Sequence, residues 1–169
     1  MVARLKLFLA SEGAHFGRDL AGTAPDWGHV TGSSWIVDES GENVVLVYHR
    51  KLGKWVQPGG HCDDESDVLN VAMREAREET GLDVRAHDTA IFDVDAHEIP
   101  SYWNTPDHVH YDVRFLLRAS AGQAPVVSEE SRAVKWVSLD EARKLSGENS
   151  IARMIDKTRL RFGDVKVVA

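Results

Sequence analysis

Between Arg74 and Gly81 the chain reads REAREETG, and no other stretch restricts its fold as strongly. Leu69, Ala72, Met73 and Ala76 recur at helical spacing, so the periodicity predicts a helix from about Ser66 to Thr80. Gly81 stands where a left-handed C′ residue would end that helix. Asp63, Asp64 and Glu65 precede it, at the positive end of its dipole. Glu75 then lies three and four residues from Glu78 and Glu79, and the three carboxylates fall within a sector of about 100°. Each like-charge pair at that spacing costs an isolated helix about 0.2 to 0.5 kcal/mol. A solvated acidic face is one outcome. A cation held by all three is the other, since hard divalent ions such as Mg²⁺ take a few carboxylates together with substrate phosphates.

The segments on either side predict a mixed α/β domain. Leu5, Phe8 and Leu9 suggest an N-terminal amphipathic helix, followed by a glycine-containing stretch from Gly13 to Gly28. His29 to Asp38 and Val44 to His49 read as two strands of a hairpin around SGEN, and RKLGKWVQPGGH, with three glycines and a proline, reads as a loop. Further strands are expected at Leu82 to Arg85, Ala90 to Ala96, Tyr111 to Arg118 and Ala133 to Val137. SLDEARKL has Ser138 as a helix N-cap with Glu141 three residues on, and Ser150 to Leu160 reads as a last helix. No repeat or linker divides the 169 residues, so one domain over 1–169 is expected.

Composition excludes several function classes. The net charge of −7, from 27 acidic and 20 basic residues with no long basic run, argues against binding nucleic acid through its phosphates. An acidic protein acting on a polyanion needs a metal between the two. The one cysteine, Cys62, rules out an internal disulfide and suits a reducing compartment. The start, MVARLKLFLASEGAHF, lacks the apolar run of a signal peptide, and nothing approaches the roughly 20 apolar residues of a membrane span. A cytoplasmic protein without a membrane partner is the expectation.

PGGH at Pro58–His61, REAREET at Arg74–Thr80 and the closing Gly81–Leu82 together resemble the Nudix box: G, five residues, E, seven residues, REUxEExGU, with U a bulky apolar residue. Gly60 takes the first glycine, Arg74 and Glu75 the RE, Ala76 the U, Glu78 and Glu79 the EE. Ala76 is smaller than usual, and the first Glu of the box falls on Ser66, between Glu65 and Asp67. Beyond the box, HVTGSSWIV, KLGKWVQPGGHCD, DAHEIP and HVHYDVRFLL are similar to bacterial Nudix hydrolases, so the likeness runs from about Thr23 to Leu145.

The resemblance implies a Nudix fold, in which helices sandwich a mixed β-sheet. It also implies hydrolysis of the diphosphate linkage of a nucleoside triphosphate or other nucleoside diphosphate derivative. Glu75, Glu78 and Glu79 would hold Mg²⁺, with Mn²⁺ as the substitute, and Arg74 would orient a carboxylate. The backbone at Gly59 and Gly60 would approach metal or phosphate. For a general base, Glu79 stands beside Glu129 and Glu130 of the late SEES loop. Among the histidines near the presumed site, His61, His97, His108 and His110, we single out His61 and His110 for substrate contact, and no pair has zinc spacing. Trp35, Trp55, Tyr102, Trp103 and Tyr111 are the aromatics that could stack on a base. Tyr102 and Trp103 are expected to be the exposed ones, and Trp35 and Trp136 to be core. A small-molecule nucleotide is the partner, and a homodimer is the assembly left open. Two rivals stand: a non-catalytic nucleotide-sensing module, favoured by Ser66, and an isomerase of isopentenyl diphosphate, for which Cys62 alone makes a weak case.

Overall fold

The structure is a computed structural model and describes residues 1–13, 15–22, 26–101, 103–120 and 122–163. Its elements run α1 (Val2–Leu9), β1 (Gly28–Val37), β2 (Asn43–His49), β3 (Lys54–Val56), β4 (Gly59–His61), α2 (Val68–Thr80), β5 (Val84–Ile99), β6 (His108–Ala119), β7 (Ser131–Ser138), α3 (Leu139–Ser146) and α4 (Asn149–Phe162).

All ten residues of β1 are buried, because this strand has helices over both faces. Adjacent residues of the central strands therefore enter different cores, as the period of two requires. Ile36, Val45 and Leu117 face α2, among Val71, Ala72 and Ala76. Trp35, Leu46 and Leu116 face α3 and α4, among Leu139, Ile151, Met154 and Ile155. Trp35 also donates its indole N–H to Thr158 Oγ1 of α4 at 2.8 Å. A mixed sheet sandwiched between helices is thus what the chain forms. Small residues set the spacing on the α2 side: a Cβ on Gly32 would lie 2.9 Å from Val71 Cγ1 and 3.0 Å from the Val68 carbonyl. Ala76, fully buried, serves in that close packing better than a bulky residue would.

The sheet runs β3-β2-β1-β6-β5, with β4 on β1 and β7 on β2. β1 lies parallel to β6 along its whole length, from Gly28↔Val109 to Val37↔Arg118. The expected hairpin is only partly formed. β1 and β2 pair at the turn end, Val37 opposite Val44, where Asp38 accepts hydrogen bonds from the Asn43 side chain and the Glu42 amide. Beyond that end the strands part. Thr31–Ser33 of β1 pairs instead with Gly59–His61, and Val47–His49 of β2 pairs with Lys54–Val56.

RKLGKWVQPGGH is therefore not one loop. It supplies the short strands β3 and β4, whose backbone groups complete the two diverging edges. The strands expected at 82–85 and 90–96 are likewise a single strand, β5, joined across the polar stretch His87–Thr89 by register shifts between Ala86 and Ile91. In α1, Leu5 and Phe8 are buried, whereas Leu9 is exposed. Among the described residues no helix is long and apolar enough to cross a membrane.

Candidate active site

α2 begins at an N-cap, Asp67, whose carboxylate accepts from the Asn70 amide, and it ends at Gly81 in the left-handed conformation, φ 67°. Between these ends its buried face carries Val71, Ala72, Ala76 and then Glu79. A glutamate continuing an apolar stripe is costly unless something answers its charge. Part of the answer is β4. The Gly59 N–H donates to Glu79 Oε1 at 2.7 Å, and Gly60 lies so close to α2 that a Cβ there would sit 2.5 Å from Glu75 Oε2. On its other side a Cβ on Gly59 would meet Ser33, with Cα at 2.8 Å. Ser33 is in turn held by a hydrogen bond to the buried carboxylate of Asp112 at 2.7 Å.

Glu79 is 4% exposed, and its second oxygen, Oε2, has no hydrogen-bond partner. Burial pushes its pKa up to about 7; the Gly59 N–H opposes this, and the neighbouring charges of Glu75, Glu130 and Glu78 add to it. Ionising it at higher pH costs the fold on the order of 3 kcal/mol relative to a solvated glutamate. Glu75 is also raised, again chiefly by burial, against the pull of Arg74. Arg74 Nη2 donates to Glu75 Oε1 at 2.8 Å and to the His61 carbonyl at 2.9 Å, so the guanidinium ties α2 to β4. Glu78 is exposed one turn away, at the mouth.

Of these groups Gly60, His61, Arg74, Glu75 and Glu78 line a cleft of about 340 Å³ together with Arg18, Asp63 and Glu130, whereas the buried Glu79 is not part of the lining. The oxygen donors on α2, the unpartnered Glu79 Oε2 and the mutual repulsion of the carboxylates fit a hard divalent cation. A larger depression of about 780 Å³ lies elsewhere, lined by residues such as Ser40, Arg118, Leu139, Arg159 and Phe162, and holds none of these glutamates.

Not every expected residue reaches the cleft. Glu130 lines it and is anchored by its carbonyl, which accepts from the Arg50 N–H at 2.9 Å, whereas the exposed Glu129 does not line it. His61 lines it. His110 lies behind His61, with ring centroids 5.0 Å apart. Trp103 is 88% exposed in the β5–β6 connection and is not part of the lining, while Tyr102 lies outside the described residues. Tyr111 is core, stacked on Phe8 at 4.1 Å, and Trp35 is fully buried. Cys62 is buried too, with its thiol pushed up to about 12 by burial, as suits a packed thiol better than a nucleophile.

Ser66 leaves its position in the box without a carboxylate, and neither neighbour supplies one to the cleft. Glu65 accepts from the Asp67 N–H at 2.7 Å, and Asp67 caps α2. The acid that does face the cleft is Asp63, ion-paired with Arg18. Sequence reasoning missed both Arg18, which lies in a stretch without periodicity, and the site role of Asp63, which it read as a complement to the helix dipole.

Residues 29–158 match the NUDIX domain. The chain belongs to that family. Among curated proteins this Nudix chain is 26% identical over 114 residues to the CMP-5'-(N-acetyl-N-hydroxy-3-aminopropyl)phosphonate hydrolase of Streptomyces rubellomurinus, a match covering 65% of the chain and 52% of the relative. It thus spans about half the length of that protein. It is 30% identical over 107 residues to the asymmetrical bis(5'-nucleosyl)-tetraphosphatase of Sus scrofa, covering 62% of the chain and 69% of the relative. The Nudix fold is shared with the C. elegans Ap4A hydrolase binary complex, at a TM-score of 0.68 and 18% identity, over 79% of this chain and 97% of that one. In Nudix terms the RE and EE of the box are the α2 residues around Gly59–Gly60.

Proposed function

We propose that this Nudix protein is a Mg²⁺-dependent pyrophosphohydrolase that cleaves the diphosphate linkage of a nucleoside triphosphate or another nucleoside diphosphate derivative. One observation supports the reading: Glu75 and Glu78 of α2 line the cleft with Gly60, and Glu79, held by the Gly59 N–H, keeps an unpartnered carboxylate oxygen in a buried position. The names of the two curated relatives, a CMP-phosphonate hydrolase and a bis-nucleosyl tetraphosphatase, support the reaction class.

Glu75, Glu78 and Glu79 would hold Mg²⁺, or Mn²⁺ in its place. Such a cation supplies charge neutralisation at phosphate oxygens and lowers the pKa of water. Arg74 holds the Glu75 carboxylate in position, and Arg18 and Arg74 offer the cleft its two guanidinium groups for phosphate. Glu130 is our choice for the proton acceptor, because it lines the cleft and is exposed, whereas Glu79 Oε1 is already engaged by Gly59. Base stacking by Tyr102 or Trp103 remains part of the proposal for the nucleoside end. The lone buried thiol suits a reducing, cytoplasmic setting.

The deciding experiment incubates the protein with Mg²⁺ and nucleoside triphosphates, dinucleoside polyphosphates, ADP-ribose and isopentenyl diphosphate, and measures release of phosphate or pyrophosphate. Turnover of a nucleotide is expected. Tight nucleotide binding without turnover would replace the enzyme by a sensing module, the second reading, to which Ser66 points.

A further inference from the structure

Behind the cleft, four imidazoles gather on one face of the sheet: His29, His61, His108 and His110. Strand register puts them there. His29 of β1 is the partner of His110 in the parallel β1–β6 pair, and His108 is two residues along on the same face. His61 of β4 is the partner of Thr31, two residues from His29 on that face. Ring centroids are 4.7 Å apart for His29–His110 and 5.0 Å for both His29–His61 and His61–His110. One ligand nitrogen from each of these three rings lies within 4.8 Å of the others.

The central ring poses the problem. His29 is 3% exposed, and neither Nδ1 nor Nε2 has a hydrogen-bond partner. Buried polar groups are nearly always satisfied. Its ring neighbours are His61, His108 and His110, and the Arg18 main chain lies nearby. Burial keeps His29 and His61 below the ordinary imidazole range, so each has a free lone pair at neutral pH. His108 Nδ1 lies 2.9 Å from the Pro106 carbonyl and so must carry the proton, and its Nε2 is 3.2 Å from His110 Nε2, which orients the third ring.

We propose that His29, His61 and His110 form a second metal site, for a borderline transition ion with zinc as its natural occupant, separate from the carboxylate site on α2. Three neutral imidazoles suit zinc and disfavour magnesium, which takes oxygen. Ligand nitrogens around a tetrahedral zinc are separated by roughly 3.4 Å, within reach of these rings by side-chain rotation. The ion would clamp β1, β4 and β6 together beside the cleft. His61 borders both sites, and its carbonyl is held by Arg74, so loading the histidines would also steady the Glu75 side of the cleft.

The test uses Co²⁺ as a spectroscopic probe on the intact chain, without substrate. One equivalent of Co²⁺ with a tetrahedral nitrogen-type visible spectrum is expected in the wild type and in Glu78→Gln, with displacement by Zn²⁺. Affinity should fall more than about 100-fold in His61→Ala and His29→Leu, beyond the 10- to 100-fold that loss of an outer partner costs. Because His29→Leu alters a buried position of the sheet, histidine-selective NMR of the wild type provides a second reading independent of folding: the His29, His61 and His110 resonances should shift on addition of one equivalent of Zn²⁺. Loss of binding in Glu78→Gln with retention in the histidine variants would place the ion in the carboxylate cleft and overturn the proposal. Absence of stoichiometric binding, or unshifted histidine resonances, would overturn it as well. None of these readouts depends on catalysis, so failure here leaves the hydrolase reading standing.

Discussion

Glu78 and Glu79 are adjacent in the chain yet differ in what they can tolerate. Glu78 is exposed and has no packing role, so Glu78→Gln should leave the thermal transition unchanged while lowering kcat by about 100- to 1,000-fold, the range seen when a group that stabilises developing charge is removed. Wild-type turnover by a folded Glu78→Gln would show that the cleft is not the active site. The two glycines facing α2 give a second contrast. At Gly59 an added methyl meets the Ser33 backbone, so Gly59→Ala should lower stability by about 1 to 3 kcal/mol in denaturant titration. At Gly60 it meets only the end of the Glu75 side chain, which can swing away. Gly60→Ala should keep its stability and lose Mg²⁺ affinity. Equal stability losses at the two positions would contradict that division. For the proton acceptor, Glu130→Gln should lower kcat by about 100-fold or more and Glu129→Gln should not, since only Glu130 lines the cleft.

At the scale of an element, α2 combines good helix ends with a poor charge pattern. Asp67 caps it through Asn70, so Asp67→Ala should cost about 1 kcal/mol. Ser66, just before the cap, makes a more informative target. Its replacement by Glu restores the missing box carboxylate and should lower the Mg²⁺ concentration at half-maximal activity without changing the fold. An unchanged Mg²⁺ dependence would mean that Asp63, on the far side of the loop, already does that work. The helix was legible because its signals are local: apolar residues at period 3.6, an acidic start and a terminal glycine. β5 was less so. His87, Asp88 and Thr89 look like a break in the sequence, but the strand continues through them because edge backbone groups find partners on β6 on either side.

Across the whole molecule, a buried charge network joins the edge of the sheet to the last helix. Asp93 of β5 accepts from Arg153 and Lys157 of α4, and Arg114 of β6, wholly buried, pairs with Asp93 and Asp112. Burial alone would raise the Asp93 pKa, but the hydrogen bonds from Arg153 and Lys157 outweigh it and hold the group below the ordinary carboxylate range. An acid depressed in the folded state contributes stability that is present above the unfolded pKa and lost as pH falls through the folded one. Stability should therefore decline below about pH 4, and less steeply in Asp93→Asn. Asp93→Ala should cost about 3 kcal/mol, because it removes a carboxylate shared by the buried Arg114 and the half-exposed Arg153 and Lys157. An unchanged urea midpoint for that variant would show that the network does not hold α4 to the sheet.

The sequence by itself determined the carboxylate helix and its ends, because each follows from spacing along a short stretch of chain, while the sandwich of helices on a sheet and the glycine approach were implied by the family resemblance that the box carries. Arg74, Glu75, Glu78 and Glu79 belong to that set. Tertiary structure alone decided which of Glu129 and Glu130 faces the cleft, that Arg18 and Asp63 join it, and that the stretch between β2 and α2 forms two strands. It alone brings His29 beside His61 and His110. Those residues are distant in the chain, and their meeting depends on the parallel register of β1 with β6 and on the parting of β1 from β2, which no local period encodes.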